Sequence, residues 1–583
     1  MSELRRFIDE LRSRRLLVDI EAEVDPKHEM TEIACRLVKT GGPAVLFHRP
    51  RGSDMPVLLN VLGTEERLAL ALGRQPEAVA SELHHFLEDA VPPRPSLAWT
   101  HRRLLRRALY MKPKVVRSPA CRQVVEEPRL SQLPVLTLWP GDGGPFLTWP
   151  LIVTRHPEHG DDNLGLYRMQ VFNDRETGMH WQIGKGGGFH HHAAERLGQD
   201  LPCAVALGAD PLTMFAAMMP LPEGISELAF AGFLRGGRTR ITRSKAGLPV
   251  PADAEIVLEG SVPWKVRRLE GPFGDHFGHY SHAADFPVFR VDRVWRRKDA
   301  IYVAAVVGRP PQEDRFLGEA VQEMFLPLLK LPRPEIRDAW AFYEAGFHAL
   351  FAVSMRTRYE KESLKTAFSL LGEGQVSLTK ILMVAPHDVD CRDPFALFRA
   401  LGRRFDPRRD LHVFGGTSAD TLDFTGPKLN RGSKMVLDLT GPERPERPPL
   451  RLPDLATETK GVLEQRLVED AVLLLRLAGD VEPRAQLREL LERRDLGDVP
   501  LIVGLSDDLD LDDRESWLWG WFTRFDPASD LIVASARLDG PIARVEGPLA
   551  IDATWKQGYP EPLVMPEEIV DRVDRRWSEY GLG

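Results

Sequence analysis

The chain has 583 residues, of which 43% are apolar, so its length and composition allow three or four domains with well-filled cores. Its 77 Lys and Arg against 85 Asp and Glu give a net charge of −8, which provides no reason to expect a nucleic acid or an anionic membrane as the main partner. The four cysteines are widely spaced, which argues against a disulfide framework. The charged start argues against a signal peptide, and the lack of a long apolar run argues against a membrane span. Together these features predict a cytoplasmic protein.

The first predicted region, residues 1–115, combines helical and strand patterns. Residues 3–17 alternate charged and apolar side chains at helical spacing, and residues 65–110 also have a helical pattern. Between them, residues 43–49 and 56–63 are short apolar runs bounded by Pro and Gly, a pattern that predicts strands. The region is therefore predicted to be a small α/β domain.

The second predicted region, residues 116–320, consists mainly of short β-like runs such as PLIVTRH, GLYRMQVF and AEIVLEGSV. Turns rich in Gly, Pro and Asp separate these runs, which is typical of a β-barrel or a sandwich. One predicted helix, GISELAFAGFLRG at residues 224–236, interrupts the pattern.

The third predicted region, residues 321–583, alternates strands with helices and contains an internal repeat. The matching pairs, at one offset of 120 residues, are RFDPRRDLHVF (404–414) with RFDPASDLIVA (524–534) and ILMVAPHDVD (381–390) with LIVGLSDDLD (501–510). Coincidence between two ordinary βα units is the alternative. A duplicated α/β subdomain, at about 381–440 and 501–556, is the favoured interpretation, and only the first copy carries a Gly-Ser-Lys motif.

Residues 162–192, DNLGLYRMQVFNDRETGMHWQIGKGGGFHHH, concentrate polar groups that could form either a site or a hairpin end. Asn163 and Arg168 are five residues apart, so in a straight strand they face opposite sides and need a bend to share a site. The glycine run at 184–188 could present N–H groups to a phosphate, or be a flexible loop. The three histidines at 190–192 are an exposed cluster or a source of metal ligands.

Two further segments carry carboxylates in apolar surroundings. Glu227 lies in the helical run SELAFAGFLRG, where it either faces water or needs a partner in the interior. Glu270 and Asp275 flank a turn in EGPFGDHFGHYS, an arrangement that suits general acid–base chemistry. A solvated acidic turn is the alternative, although Phe273 and Phe277 argue against full exposure.

Together these segments resemble the UbiD family of decarboxylases. The matching motifs are, in chain order, NLGLYRMQ, MHWQ with a following KGG, SELAFAGFLRG, AEIVLEG, EGPFGDHFGHY, GRPPQED and GSKM. The resemblance implies an α/β (α+β) fold with an N-terminal α/β region, a central split β-barrel of flavin-binding type and a C-terminal α/β oligomerisation domain. It also implies a non-oxidative, reversible decarboxylase of an aromatic or α,β-unsaturated acid, with prenylated FMN, Mn²⁺ or Mg²⁺, and K⁺ as cofactors.

The resemblance also implies roles for single residues. Arg168, Glu270 and Asp275 match the catalytic network, with Asp275 as the proton donor after CO₂ leaves. The residues that match the cofactor site are Leu166, Tyr167, Arg168, His180, Trp181, Gln182, Lys185, Gly186 and Lys434. Asn163 and Glu227 match the oxygen ligands of the metal.

This sequence departs from the family pattern at one metal ligand. Many members have a histidine where this chain has Gly184, so His190, or alternatively His191, is the candidate replacement. Asp275 is expected to be protonated when it acts, because a closed apolar site raises the pKa of a carboxyl group.

The resemblance implies partners as well. They are a small carboxylic acid substrate, a flavin prenyltransferase of the UbiX type that supplies the cofactor, and further copies of this chain in a homo-oligomer. The branch that this sequence resembles suggests a place in menaquinone or ubiquinone biosynthesis. The alternative function is a catalytically inactive flavin-binding scaffold or assembly subunit of the same family, which Gly184 favours and the retained Arg168, Glu270 and Asp275 oppose.

Overall fold

The computed structural model describes residues 3–90, 96–182, 186–221, 224–445, 447–540 and 542–582. The chain forms two compact units, one of residues 1–327 with 561–583 and one of residues 328–560. No helix in these described ranges has the length and apolar character needed to cross a membrane. The division into three regions at 115 and 320 stays a prediction.

The N-terminal region has the mixture of helices and strands that its sequence predicts. Its elements are α1 (Glu3–Ser13), β1 (Leu17–Val24), α2 (Glu29–Lys39), β2 (Ala44–Pro50), β3 (Val57–Leu59), α3 (Glu65–Leu72), α4 (Pro76–Ala90), α5 (Leu97–Thr100) and α6 (Arg102–Ala108). Helix α1 buries Leu4, Phe7, Ile8 and Leu11, whose spacing places them on one helical face. The strands form a sheet in which β1 and β2 are parallel and β2 and β3 antiparallel.

The central region is built around one large antiparallel sheet. The strands of the central region, which include those outside the large sheet, are β4 (Lys114–Val115), β5 (Val124–Glu126), β6 (Phe146–Leu147), β7 (Leu151–Arg155), β8 (Asp162–Leu166), β9 (Met169–Asn173), β10 (Glu176–Gly178), β11 (Leu201–Leu207), β12 (Arg240–Arg243), β13 (Pro249–Pro251), β14 (Ile256–Val262), β15 (Arg267–Glu270), β16 (Ala284–Arg296) and β17 (Tyr302–Val303). Its helices are α7 (Gly186–Leu197), α8 (Pro211–Ala216), α9 (Glu227–Arg235) and α10 (Glu313–Lys330). Strand β17 leaves this region and pairs with β3 of the N-terminal sheet.

The large sheet must curl, because of its strand order. The order is β6-β9-β10-β16-β14-β11-β7-β8, with β5 and β15 added beside β16. Strands β8 and β9 are thus six positions apart, roughly 29 Å in a flat sheet. Only Tyr167 and Arg168 connect them, and the path from Leu166 to Met169 spans at most about 11 Å. The two ends of the sheet therefore approach each other, which confirms the predicted split barrel.

The second unit contains two copies of one α/β fold. The first copy comprises β18 (Ile336–Ala341), β19 (Leu350–Met355), α11 (Glu362–Leu371), β20 (Ile381–Pro386), α12 (Pro394–Arg404), α13 (Pro407–Asp410), β21 (Leu411–Ser418) and β22 (Arg431–Asp438). After α14 (Leu455–Glu458), the second comprises β23 (Val462–Val468), β24 (Val472–Leu477), α15 (Pro483–Glu492), β25 (Leu501–Leu505), α16 (Arg514–Thr523), α17 (Pro527–Asp530), β26 (Leu531–Asp539) and β27 (Ile542–Ala553). Both sheets have the same order, β18-β19-β20-β22-β21 and β23-β24-β25-β27-β26. The duplication therefore includes two strands and a helix upstream of the predicted repeat.

The two copies pack through equivalent elements. The Phe398 ring of α12 stacks on the Trp521 ring of α16, with centroids 5.4 Å apart. Arg399 on α12 donates to Glu469 at 2.8 Å, in the turn between β23 and β24. In the reverse direction, Arg514 at the start of α16 donates to Glu344 at 3.2 Å, in the turn between β18 and β19. Each copy's helix thus contacts the first hairpin of the other copy, as in a two-fold pair.

The last helix, α18 (Glu567–Arg576), belongs to the first unit and packs against α2. The Tyr580 hydroxyl, just beyond it, donates to the buried Glu29 carboxylate at 2.8 Å. The chain end is therefore anchored on the N-terminal region.

Phe398→Ala should lower the free energy of unfolding of the second unit by roughly 3–5 kcal/mol, because it leaves a cavity at the packed centre between the copies. Phe368→Ala, which removes a half-exposed ring on α11, is the matched control and should cost far less. Urea unfolding of the full chain, followed by tryptophan fluorescence, measures both. Equal costs would contradict a tightly packed contact between the copies.

Candidate active site

Arg168 is the centre of a buried network at the closure of the barrel. Its Nε donates to Glu270 Oε1 at 3.1 Å, its Nη1 to Asp275 Oδ2, and its Nη2 to Ser281 Oγ at 2.9 Å. The guanidinium also lies over the Phe273 ring, 4.8 Å from its centroid. The bend that the sequence required between Asn163 and Arg168 is present, because β8 ends at Leu166 and Arg168 follows it.

Glu270 is fully buried at the end of β15 and contacts two positively polarised groups. Its Oε1 accepts from Arg168 and lies 3.2 Å from His180 Nδ1. Burial alone would raise its pKa, but the charge of Arg168 and the His180 contact outweigh burial and lower the pKa below the usual carboxyl value. Burial, together with the positive charge of Arg168, lowers the pKa of His180. Glu270 is therefore an anion that fixes the orientation of Arg168.

The neighbours of Asp275 favour its ionised form, and its predicted protonation at the moment of proton transfer stays a prediction. Burial raises its pKa, but hydrogen bonds from His276 and the charge of Arg168 have the larger combined effect, so the pKa lies below its usual range. Its Oδ1 lies 2.9 Å from His276 Nδ1 and accepts the His276 backbone N–H at 2.8 Å. Asp275 is therefore ionised, because the site is closed but not apolar around the carboxylate.

The loop that carries Glu270 and Asp275 is held by two residues that sequence reasoning missed. Gln170 accepts from the Gly271 N–H at 2.8 Å and donates to the Gly143 carbonyl at 2.7 Å. Asp142 accepts from the Gly274 N–H at 2.8 Å, and burial raises its pKa to about 6. Gln170 follows Arg168 at the i+2 spacing of one strand face, which is the signal that could have identified it. Ser281, the third partner of Arg168, had no such signal.

A second group of residues meets at the start of α7. An ideal Cβ on Gly186 would lie 2.2 Å from Asn163 Oδ1, and one on Gly187 would lie 2.7 Å from Trp181 Nε1. The Gly187 N–H donates to the Tyr167 hydroxyl at 3.1 Å, and burial raises the pKa of Tyr167 to about 12. Gly186, Gly187 and Gly188 therefore begin helix α7, and their small size allows these side chains to approach the helix N-terminus closely.

Glu227 lies beside the same strand as Asn163. Its Oε2 accepts the Leu164 N–H at 2.9 Å, and burial raises its pKa to about 7. No Lys or Arg in the described ranges forms an ion pair with it. Glu227 thus contacts the residue that follows Asn163, and the two side chains offer a carboxylate and an amide oxygen, the ligand type that Mn²⁺ and Mg²⁺ prefer.

The histidines of α7 are only partly an exposed cluster. His190 and His191 are buried and His192 is exposed. His190 Nδ1 lies 2.9 Å from Thr154 Oγ1, and the His191 ring packs on Trp181 with centroids 4.6 Å apart. Burial lowers the pKa of both His190 and His191 to about 4, so both imidazoles are neutral at pH 7 and able to act as ligands.

The other predicted cofactor residues have different positions. Leu166 ends β8, and the Gln182 carbonyl lies close to Gly188. Lys434 belongs to the second unit, where its Nζ donates to the Thr379 carbonyl at 2.8 Å and burial lowers its pKa to about 8. Lys185 and Gly184 lie outside the described residues.

Buried polar atoms without hydrogen-bond partners cluster around these residues. In the described part of the chain they include Asn163 Nδ2, His180 Nε2, Trp181 Nε1, His191 Nε2 and Glu270 Oε2. Each unsatisfied buried group costs about 1–3 kcal/mol, so such a cluster needs a ligand to complete it. The start of α7 at Gly186 and Gly187 and the side-chain oxygens of Asn163 and Glu227 lie among these atoms. Together they fit a polar, phosphate-bearing cofactor with a divalent cation.

Comparisons with known proteins agree with this geometry. Three models of 3-octaprenyl-4-hydroxybenzoate carboxy-lyase match, for its N-terminal domain (residues 8–87), its Rift-related domain (114–310) and its C-terminal domain (315–439). A 4-hydroxybenzoate decarboxylase subunit from Chlamydia pneumoniae is 39% identical over 591 residues, covering 100% of this chain and 98% of that protein.

Solved structures give the same result. Vanillic acid decarboxylase of Sedimentibacter hydroxybenzoicus, in closed form, has a TM-score of 0.67 at 27% identity and covers 79% of this chain and 97% of its own. HmfF from Pelotomaculum thermopropionicum, in complex with FMN, has a TM-score of 0.63 at 25% identity and covers 77% of this chain and 98% of its own. The split barrel of the central region is the fold expected from these matches. The chain belongs to the UbiD family of decarboxylases.

The ionised state of Asp275 predicts a pH dependence of stability. Its folded-state pKa is depressed below the ordinary value of about 3.9, so its contribution is complete above that value and is lost as the pH falls through the folded pKa. The melting temperature of the native chain should therefore fall more steeply than that of Asp275→Asn below about pH 4.

Thermal unfolding of both chains between neutral and acid pH measures this difference. Asp292→Asn removes an exposed carboxyl group of the same unit, and it should show the pH dependence of the native chain. Parallel curves for the native chain and Asp275→Asn would contradict an ionised Asp275.

Proposed function

We propose that this chain is a non-oxidative, reversible decarboxylase of an aromatic or α,β-unsaturated carboxylic acid that uses prenylated FMN and a divalent metal, Mn²⁺ or Mg²⁺, with K⁺ as a further ion. The observation that carries the proposal is the Glu270–Arg168–Asp275 network beside a cluster of unsatisfied buried polar atoms. Membership of the decarboxylase family and the FMN named with a structural neighbour support it.

The residues around the start of α7 would hold the cofactor. Tyr167 and Trp181 lie close to Gly187 at the helix start, and His180 precedes Trp181 in the chain. Asn163 with Glu227 would bind the metal beside the cofactor phosphate. The proposed third ligand is His190, whose Nε2 stays available while Nδ1 contacts Thr154. When bound, prenylated FMN supplies an electron sink for the electron pair left by C–C cleavage.

Arg168 would bind and orient the substrate carboxylate. Its three nitrogens donate to Glu270, Asp275 and Ser281, so an incoming carboxylate competes with these acceptors for the guanidinium. Glu270 contacts Nε and His180, and it keeps the guanidinium plane fixed. We take Asp275 rather than Ser281 as the acceptor to be displaced, because Asp275 is itself an anion and would repel an incoming carboxylate beside Arg168.

This displacement would couple substrate binding to protonation of Asp275. Without the Arg168 contact, Asp275 loses a positive charge that lowers its pKa. Burial remains, and burial raises the pKa of Asp275. Asp275 can then take up a proton, and after CO₂ leaves it would donate that proton to the substrate carbon. The low pKa of Asp275 beside Arg168 is therefore compatible with an acid role.

The wider setting is part of the proposal. The chain would act in the cytoplasm as a homo-oligomer on a quinone precursor, with a flavin prenyltransferase supplying the cofactor and Lys434 contacting the cofactor phosphate. A catalytically inactive flavin-binding scaffold of the same family is the competing function, and retention of the complete arginine network opposes it.

The first test is to identify the cofactor after co-expression with a flavin prenyltransferase. The full chain, purified without oxygen and with Mn²⁺, should contain prenylated FMN by mass spectrometry and should release CO₂ from quinone-precursor or cinnamic-type acids. Bound flavin without CO₂ release from any such acid would favour the scaffold. A folded chain without flavin would contradict the proposed cofactor site.

Gly186→Ala should reduce the amount of flavin that co-purifies, because the new Cβ would come within 2.2 Å of Asn163 Oδ1. The matched control is Gly415→Ala in the second unit, where an added Cβ meets no atom within 4 Å. Flavin absorbance per chain measures both variants. Full flavin content in Gly186→Ala would place the cofactor elsewhere.

Asp275→Asn should keep the flavin and lose CO₂ release by roughly 10²–10⁴-fold, the range expected for removal of a general acid. Flavin content and initial rates of CO₂ release separate these two effects. A variant with normal flavin content and a normal rate would remove Asp275 from the mechanism.

A further inference from the structure

The two copies of the fold in the second unit differ at the start of their last strands. In the first copy, β22 contains Ser433 and Lys434, just before the residue that pairs with the start of β20. By the same register, the second copy has Gly547 and Pro548 at these positions of β27. The hydroxyl and amine groups at these positions therefore occur in the first copy only.

Ser433 lies where β22 extends beyond the start of β20. The Met435 N–H, two residues further on, donates to the Lys380 carbonyl at 2.8 Å, so alternate N–H groups of β22 point to the β20 side. Strand β20 does not extend far enough to pair with Ser433, since its first residue, Ile381, pairs with Met435. The Ser433 N–H therefore needs an acceptor from elsewhere, because buried backbone donors are rarely left unpaired.

Asp526 of the second copy supplies this acceptor. Its Oδ1 accepts the Ser433 N–H at 2.9 Å and the Ser433 hydroxyl at 2.8 Å. The Ser433 hydroxyl oxygen in turn accepts the Ala528 N–H at 2.8 Å. Asp526 and Ser433 are both buried. Three hydrogen bonds therefore join the two copies at the residue before Lys434.

The equivalent aspartate of the first copy has a different partner. Asp406 and Asp526 lie in equivalent Phe-Asp-Pro turns, where their N–H groups donate to Asp410 at 3.1 Å and Asp530 at 2.8 Å, respectively. Helices α13 and α17, which follow these aspartates, pack on β27 and β22 of the opposite copy. The Asp406 carboxylate, however, accepts from Arg408 of its own turn. Among the described residues, this aspartate thus bonds across the copies only where the opposite strand carries Ser-Lys.

Lys434 has donors available for a ligand and lacks a counter-charge. Its Nζ donates to the Thr379 carbonyl at 2.8 Å, which uses one of the three N–H donors of a lysine amine. No carboxylate in the described ranges forms an ion pair with it, since the neighbouring Asp423 pairs with Lys380 at 3.2 Å. Burial lowers the pKa of Lys434 to about 8. A buried cation of this kind is costly unless an anion compensates it, so an anionic ligand would stabilise Lys434.

We propose that Asp526 is a positioning residue that holds β22 at Ser433, so that the adjacent Lys434 amine is presented to the cofactor phosphate. The proposal rests on the proposed function, in which Lys434 contacts that phosphate. Ser433 and Lys434 are neighbours on one strand, so their side chains point to opposite faces, and a backbone fixed through one face limits the movement of the other. The second copy would thus contribute to cofactor binding through Asp526.

Binding of FMN and riboflavin to the flavin-free full chain tests the proposal, because riboflavin lacks the phosphate. Quenching of flavin fluorescence gives the dissociation constant of each. Lys434→Ala should weaken FMN binding roughly 10- to 100-fold, the loss expected for a hydrogen bond to a charged group, and should leave riboflavin binding unchanged. Asp526→Ala should weaken FMN binding roughly 10-fold, because a displaced lysine keeps part of its attraction, and should also spare riboflavin.

A double variant distinguishes positioning from a general loss of structure. In a chain that already carries Lys434→Ala, Asp526→Ala should cause no further loss of FMN affinity, because residues that act through one another are not additive. The matched control is Asp406→Ala, which removes the equivalent aspartate of the first copy and should bind FMN like the native chain.

Two further measurements do not depend on the folding of one variant or on the cofactor. Ser433→Ala removes the hydroxyl that contacts Asp526 and should weaken FMN binding in the same direction, so it replaces Asp526→Ala if circular dichroism shows that variant to be unfolded. In the flavin-free chain, amide hydrogen exchange of residues 431–438 should be faster in Asp526→Ala than in Asp406→Ala, because the Ser433 N–H loses its acceptor.

Three results would overturn the proposal. If Lys434→Ala weakens FMN binding but Asp526→Ala binds like Asp406→Ala, Asp526 does not position Lys434 and the proposed function stands. If Asp526→Ala weakens FMN and riboflavin equally, or adds its full loss to that of Lys434→Ala, its role is structural. If Lys434→Ala binds FMN like the native chain, the Lys434 contact of the proposed function fails together with this proposal.

Discussion

The two-residue connection between β8 and β9 is the constraint on which the site depends. It joins strands from far positions of one antiparallel sheet, so the sheet has to curl until its ends meet. Arg168 lies in that connection, at the closure of the barrel, where β15 and the following loop bring Glu270 and Asp275 to it. The same closure places Asn163, on the other side of the connection, beside the N-terminus of α7.

One positive charge is shared between two carboxylates in this closure. The guanidinium of Arg168 donates hydrogen bonds to two carboxylates and one hydroxyl. Because these groups are buried, an ion that lost its partner here would raise the free energy of the folded state. Glu270 has His180 as a second hydrogen-bond partner, whereas Asp275 has His276. When a third anion, the substrate carboxylate, approaches this shared cation, it competes with the two carboxylates for Arg168. This competition is the physical link between substrate binding and proton uptake by Asp275.

The duplication gives the second unit a different kind of constraint. Two copies of one fold contact each other through the same elements, helix to hairpin in both directions, and their aromatic rings fill the space between. The face that one copy would otherwise expose is thus covered within the chain. The peptide connection between the copies keeps their local concentration high, so this pairing does not depend on protein concentration.

The sequence by itself determined the fold class, the repeat and the family, because hydrophobic periodicity and ordered motifs are local properties of the chain. It also named Arg168, Glu270 and Asp275, yet the Asp275 charge state was decided only by the tertiary structure, because a pKa depends on which charges surround a buried group. Ser281, Gln170 and Asp142 escaped the sequence for the same reason, since their partners are distant along the chain. Gly186, Gly187 and Gly188 form a helix with the histidines that follow them, with His190 and His191 buried, because packing on β7 and β8 overrode the low helix propensity of glycine.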